Sequence, residues 1–184
     1  MAALKSICVY CGSASGRRAE YAHAAQELGG LIAGSGRTLV YGGGGIGLMG
    51  EAARAAMAAG GRVIGVIPTH LNTKERAYQE VDLRVVASMH ERKQTLADLA
   101  DGFIALPGGL GTFDELFEIL TWNQIGLHGK PVGVLNVSGY FDALLLLIEQ
   151  AVREGFAPPA ARSRIVVGLT PAALLEAMDA FVEE

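Results

Sequence analysis

The 184-residue sequence is 51% apolar and 18% charged, a balance that predicts one compact domain over residues 1–184 and excludes a linker or disordered chain. Its net charge of -4, with no Lys- or Arg-rich block, argues against nucleic acid as a partner and leaves room for a small anion. The 25 glycines are roughly double the usual share of about 7%; they follow no three-residue repeat and come with only 6 prolines, so they need a local explanation.

The opening MAALKSICVY enters an alternating apolar segment at once, and no run of 18 apolar residues occurs. The expectation is a cytoplasmic protein with no leader and no membrane partner. A first strand is predicted over Ser6–Tyr10. Cys8 and Cys11 stand in and just after it, where a three-residue step of about 10 Å is too long for a disulfide, so packing is their expected role. The loop CGSASG (Cys11–Gly16) follows, then a helix over Arg17–Ala33.

A strand over Thr38–Tyr41 leads into YGGGGIGLMG and a helix over Ile46–Ala59. Further strands are predicted over Arg62–Ile67, Leu83–Val86, Gly102–Leu106, Val132–Leu135 and Arg164–Val167. Helices are predicted over Met89–Ala100, Phe113–Gly126, Tyr140–Glu154 and Pro171–Val182. Apolar strands alternating with helices imply a single-domain, Rossmann-like α/β fold, doubly wound, with a mostly parallel sheet of about seven strands and helices on both faces. Ligands bind such sheets beyond the carboxyl ends of the strands.

The glycines gather at those ends. Six lie between residues 42 and 50, and Gly108, Gly109 and Gly111 lie in LPGGLGTFDE. Each cluster follows a predicted strand and opens a helix, where backbone amides meet an anion. Three such loops, counting CGSASG, suggest a phosphate-bearing ligand, with Ser13 a donor to it. Gly45, Gly47 and Gly50 spell GxGxxG, but the acidic residue that a dinucleotide site needs about 20 residues on is missing from GVIPTH. Neither cluster continues into GK[ST], which excludes a Walker loop. Gly29, Gly60 and Gly126 read as helix terminators.

Thr112 and Glu115 have capping-box spacing, as do Ser88 and Glu91. A glutamate in the first turn beside a phosphate loop also suits chemistry on a ribose. Arg92 and Lys93 follow Ser88 in the first turn of their helix, where cations oppose the macrodipole and an anion is expected to compensate. His90 and His128 lack metal-site spacing, so no metal is expected. The absence of GxSxG argues against a nucleophilic serine. Phe113, Phe117 and Trp122 fit either a core or an interface.

Together, PGGLGTFDE, SMHERK, YGGGGIGLMG, CGSASG and HGKPVGVLN resemble the LONELY GUY (LOG) family of cytokinin riboside 5′-monophosphate phosphoribohydrolases, whose members are often labelled lysine decarboxylases. The resemblance implies hydrolysis of the bond between base and ribose 5-phosphate, without a cofactor, by a homodimer with active sites near its interface. It assigns Arg92 and Glu115 as the catalytic pair. Substrate-binding positions are Gly12, Ser13, Gly43, Gly44, Gly45, Met89, Lys93, Gly108, Gly109, Gly111, Thr112 and Thr121, with Glu75 placed across an alignment gap. The four lysines, Lys5, Lys74, Lys93 and Lys130, sit in no pyridoxal setting, which counts against decarboxylation. Two other readings are a nucleotide-binding or carrier module without turnover and a nucleosidase with broader base choice.

Overall fold

A computed structural model describes residues 4–73 and 77–183. Its frame is one parallel sheet: β1 (Ser6–Tyr10), β2 (Thr38–Tyr41), β3 (Val63–Pro68), β4 (Asp82–Val86), β5 (Gly102–Ala105), β6 (Val132–Leu135) and β7 (Ile165–Gly168), in the order β4-β3-β2-β1-β5-β6-β7. Every described strand pair is parallel. The helices are α1 (Ala19–Gly34), α2 (Gly47–Ala58), α3 (Met89–Leu99), α4 (Leu110–Gln124), α5 (Asp142–Arg153), α6 (Ala160–Ser163) and α7 (Pro171–Glu183). The predicted strands stand with ends moved by a residue, and the short α6 carried no apolar period to announce it.

Alternation along the strands divides the interior into two layers. Ile7, Val9 and Cys11 face the layer built with α1, α2 and α7; Cys8 and Tyr10 face the one built with α3, α4 and α5. Cys8 and Cys11 are therefore buried, free and on opposite faces, and burial pushes both thiols up. They pack, as expected. Strands buried on both sides explain the near-continuous apolar runs, β3 being buried along its whole length.

Gly60 and Gly126 do stand in the left-handed conformation just after helices, as terminators should. Gly29 does not. It sits inside α1, buried, where an added Cβ would run into the Ala52 carbonyl of α2. Its role is close helix approach rather than termination, which its position in the run QELGGLIAG did not disclose. Among the described residues, no helix is long and apolar enough to cross a membrane.

Candidate active site

From β1 the chain builds outward to β4, then returns to lay β5 on the other side of β1. The strand order thus reverses between β1 and β5, and a crevice opens beyond their carboxyl ends. A cleft of about 350 Å³ occupies it, lined by Gly12 and Ser13 after β1, Gly42 after β2, Met89 and Arg92 of α3, and Gly109, Gly111, Thr112 and Glu115 around the start of α4. A second cavity of about 230 Å³ adjoins it through Gly12, Ser13 and Gly109 and is walled by Tyr21, Gly108 and Tyr140.

At the floor of the main cleft Arg92 Nη1 donates to Glu115 Oε1 at 2.5 Å. Arg92 is 9% exposed. Its Nε donates to the Val66 carbonyl at 3.0 Å and its Nη2 to the Gly42 carbonyl at 3.5 Å, so every guanidinium nitrogen faces an acceptor. Gly42 has to be glycine for this: a Cβ there would occupy the place of the guanidinium. Burial pushes the Glu115 carboxyl above its ordinary value, and the Arg92 charge pulls it back without cancelling the shift. A carboxylate tuned upward beside a fixed cation is suited to exchange protons nearer neutrality.

The capping-box expectation for Thr112 and Glu115 is overturned. Gly109 is the N-cap of α4 and its carbonyl accepts from Phe113 N–H, so Thr112 is already the third helical residue and Glu115 lies in the second turn. Thr112 is buried against Gly108 instead of capping, and Glu115 is left for Arg92. No side chain caps α4, and its first-turn amides border the cleft, the arrangement that receives an anion. Around Gly109 and Gly111 the space is open. At Ser88, by contrast, the cap forms: Ser88 Oγ accepts from Glu91 N–H, while the Glu91 carboxylate accepts from Ala87 N–H, one residue before the N-cap.

Lys93 does not line the cleft. Its ammonium lies 2.8 Å from Asp114 and 3.3 Å from Glu118 of α4; burial draws its pKa down, and the two carboxylates outweigh this and hold it above the usual lysine value. The anion expected to compensate Arg92 and Lys93 is therefore a row of α4 carboxylates from the same chain. Gly43, Gly44 and Gly45 turn away from the cleft toward the segment after β3: Gly44 bridges Ala77, the Gly43 carbonyl accepts from Tyr78 N–H at 2.9 Å, and Gly45 faces Tyr78.

Thr121 is on α4 three turns from its start. Its hydroxyl donates to the Phe117 carbonyl, and it borders a separate groove with Phe117, Leu120 and Ile165. Glu75 lies outside the described residues. The cleft also takes in Met49, Leu71 and Asp114, which the sequence analysis passed over; Asp114, next to Glu115 in a glycine-led helix start, carried the one readable signal. Phe113 and Trp122 are partly buried against the core, whereas Phe117 is 40% exposed.

The family model described as "Possible lysine decarboxylase" matches residues 49–178. Cytokinin riboside 5′-monophosphate phosphoribohydrolase LOG of Oryza sativa subsp. japonica is 50% identical over 98% of this chain and 75% of its own length. Cytokinin riboside 5′-monophosphate phosphoribohydrolase LOG3 of Arabidopsis thaliana is 47% identical over 96% of this chain and 83% of its own. Among solved structures, the molybdenum cofactor binding protein of Rippkaea orientalis aligns with a TM-score of 0.73 at 25% identity, covering 96% of both chains. The chain belongs to the family that this lysine decarboxylase model describes and that includes the LOG phosphoribohydrolases.

Proposed function

We propose that this protein hydrolyses the N-glycosidic bond of cytokinin riboside 5′-monophosphates, that is N6-modified AMP, and of AMP itself, to free base and ribose 5-phosphate. One observation carries the reading: the buried Arg92–Glu115 pair forms the floor of a cleft bordered by the uncapped start of α4. The names of relatives about half identical to the chain give the substrate. The reading treats residues 1–184 as one domain.

Cleavage places positive charge on the ribose and negative charge on the departing base. Glu115 faces the sugar, stabilises the cationic ring and takes a proton from the attacking water. The water oxygen bonds to the anomeric carbon as the bond from that carbon to the base nitrogen breaks; the base takes up one proton from solvent and Glu115 returns the one it accepted, so the water is divided between ribose and base. Arg92 fixes the carboxylate and sets its basicity; with each guanidinium nitrogen facing an acceptor, this role suits it better than direct capture of the phosphate. The amides of Gly109, Leu110, Gly111 and Thr112, with Ser13, receive the 5′-phosphate, Gly12 lining the site while its own N–H donates to the Pro107 carbonyl, and that remote binding energy positions the reacting carbon.

The reading includes a homodimer. Thr121, which the family resemblance assigns to substrate, lies outside the cleft of its own chain, and Phe117, Leu146, Leu147 and Phe156 are exposed apolar side chains on or beside α4 and α5. A second copy laid on that surface would cover Thr121 together with these side chains. Light scattering tests it, with a dimer mass as the expected result.

A carrier module without turnover has the fold likeness to the Rippkaea orientalis protein in its favour. The deciding assay compares isopentenyladenosine monophosphate, AMP, adenosine and a pyrimidine monophosphate. Turnover restricted to the phosphorylated purines supports the proposal. Equal rates on adenosine and AMP would overturn the phosphate role, and equal rates on the pyrimidine would make the enzyme a broader nucleosidase.

A further inference from the structure

Tyr140 lies on the loop after β6, outside the family's matching motifs, yet its hydroxyl donates to the Gly108 carbonyl in the loop after β5. Its ring is fixed from three sides: edge-on to Tyr21 at 5.7 Å, edge-on to Phe141 at 5.1 Å and stacked on Phe113 at 6.4 Å. The loop that delivers it is itself built for the purpose. Ser138 and Gly139 both take left-handed backbone angles, φ 52 and φ 72. Buried Asn136 braces them, its side chain accepting from Phe141 N–H at 2.7 Å and donating to Asp142 at 2.7 Å.

The Gly108–Gly109 peptide joins two residues without side chains, so little steric resistance opposes its rotation as a unit. In a trans peptide the C=O and the next N–H lie in one plane and point in opposite directions, and no cis bond is present among the described residues. Holding the Gly108 oxygen on the Tyr140 side therefore turns the Gly109 N–H the other way. Gly108 and Tyr140 wall the smaller cavity and are absent from the lining of the main cleft, whereas Gly109 borders both. That leaves the main cleft as the side for the Gly109 N–H, and nothing described lies within 4 Å of where a Gly109 Cβ would stand.

We propose that Tyr140 is a positioning residue for phosphate recognition: its hydrogen bond locks the Gly108–Gly109 peptide so that the Gly109 amide points at the 5′-phosphate. Tyr140 touches no reacting atom in this role. The inference rests on the nucleotide 5′-monophosphate reading and adds a residue to it.

The test is Tyr140→Phe, which keeps the ring and its aromatic contacts and removes the donor. Titration calorimetry with AMP and amide NMR of the Gly109 resonance are run with and without this substitution in a Glu115→Gln background, where bound AMP is not cleaved, with isopentenyladenine as the phosphate-free probe; KM is read from steady-state rates in the otherwise native protein. The expected result is an AMP affinity lowered roughly two- to tenfold, the share of one net hydrogen bond, with base affinity unchanged and KM raised. The AMP-induced shift of the Gly109 amide should be large with Tyr140 in place and small with Tyr140→Phe. An unchanged AMP affinity and Gly109 shift overturns the proposal alone, as does an equal loss for the base. A native protein that binds no AMP overturns the nucleotide reading and this proposal with it.

Discussion

Glu115 and Arg92 meet at 2.5 Å across the gap between α3 and α4, each side chain 10% exposed. Removing one partner strands a buried charge, at a cost of about 3 kcal/mol or more. Arg92→Ala should therefore lower both turnover and melting temperature. Glu115→Gln keeps the shape and an acceptor for Arg92, so it should lose turnover by roughly 10²-fold or more with a smaller loss of stability. Calorimetric melting beside steady-state rates separates the two; a Glu115→Gln protein that keeps its turnover would remove Glu115 from the chemistry.

Burial holds the Glu115 carboxyl above its ordinary value, and Asp114 adds to the rise. If the ionised form acts, the acid limb of the pH–rate profile should lie above the free carboxylate value of about 4.3. Asp114→Asn removes a raising charge and leaves Lys93, which lowers the value, less neutralised. The limb should then move to lower pH. For stability the sign is the reverse of an ordinary ion-paired carboxylate: the Glu115 contribution is present below its unfolded value and lost as pH rises through the raised folded one. Glu115→Gln should accordingly compare better with the native protein at pH 7 than at pH 4.

The strands were legible in the sequence because a doubly covered sheet demands apolar runs; the glycine clusters at the strand ends were legible too, but local sequence did not show that Gly43, Gly44 and Gly45 face Ala77 and Tyr78 rather than the cleft. The start of α4 was not legible. Gly109-Leu110-Gly111 has low helix propensity and reads as loop, yet Gly109 is the N-cap and α4 begins at Leu110, which moves Glu115 out of capping reach. Nor could local spacing show that Lys93 faces Asp114 and Glu118, since that pairing exists only once α3 and α4 lie side by side.

Gly111 lies within α4, with open space where a Cβ would go. Gly111→Ala should stabilise the helix by up to about 1 kcal/mol and at the same time place a methyl group at the cleft. Melting temperature should rise while KM for AMP rises. A variant that gains stability with KM unchanged would place the phosphate elsewhere.

Gly42 lines the cleft and sets the place of Arg92. A methyl group at Gly42→Ala would displace the guanidinium and break its bonds to Glu115 and the Val66 carbonyl. Turnover should fall at least tenfold with the acid limb moved upward, because Glu115 loses the charge that pulls its value down. Full activity in Gly42→Ala would show that the Arg92 position is not required.

The most direct measurement is chromatographic product analysis after incubating the native protein and Glu115→Gln with isopentenyladenosine monophosphate. The account predicts equal amounts of isopentenyladenine and ribose 5-phosphate from the native protein over many turnovers, and bound, uncleaved nucleotide with Glu115→Gln. Stoichiometric retention of intact nucleotide by the native protein would contradict it and make the chain a carrier.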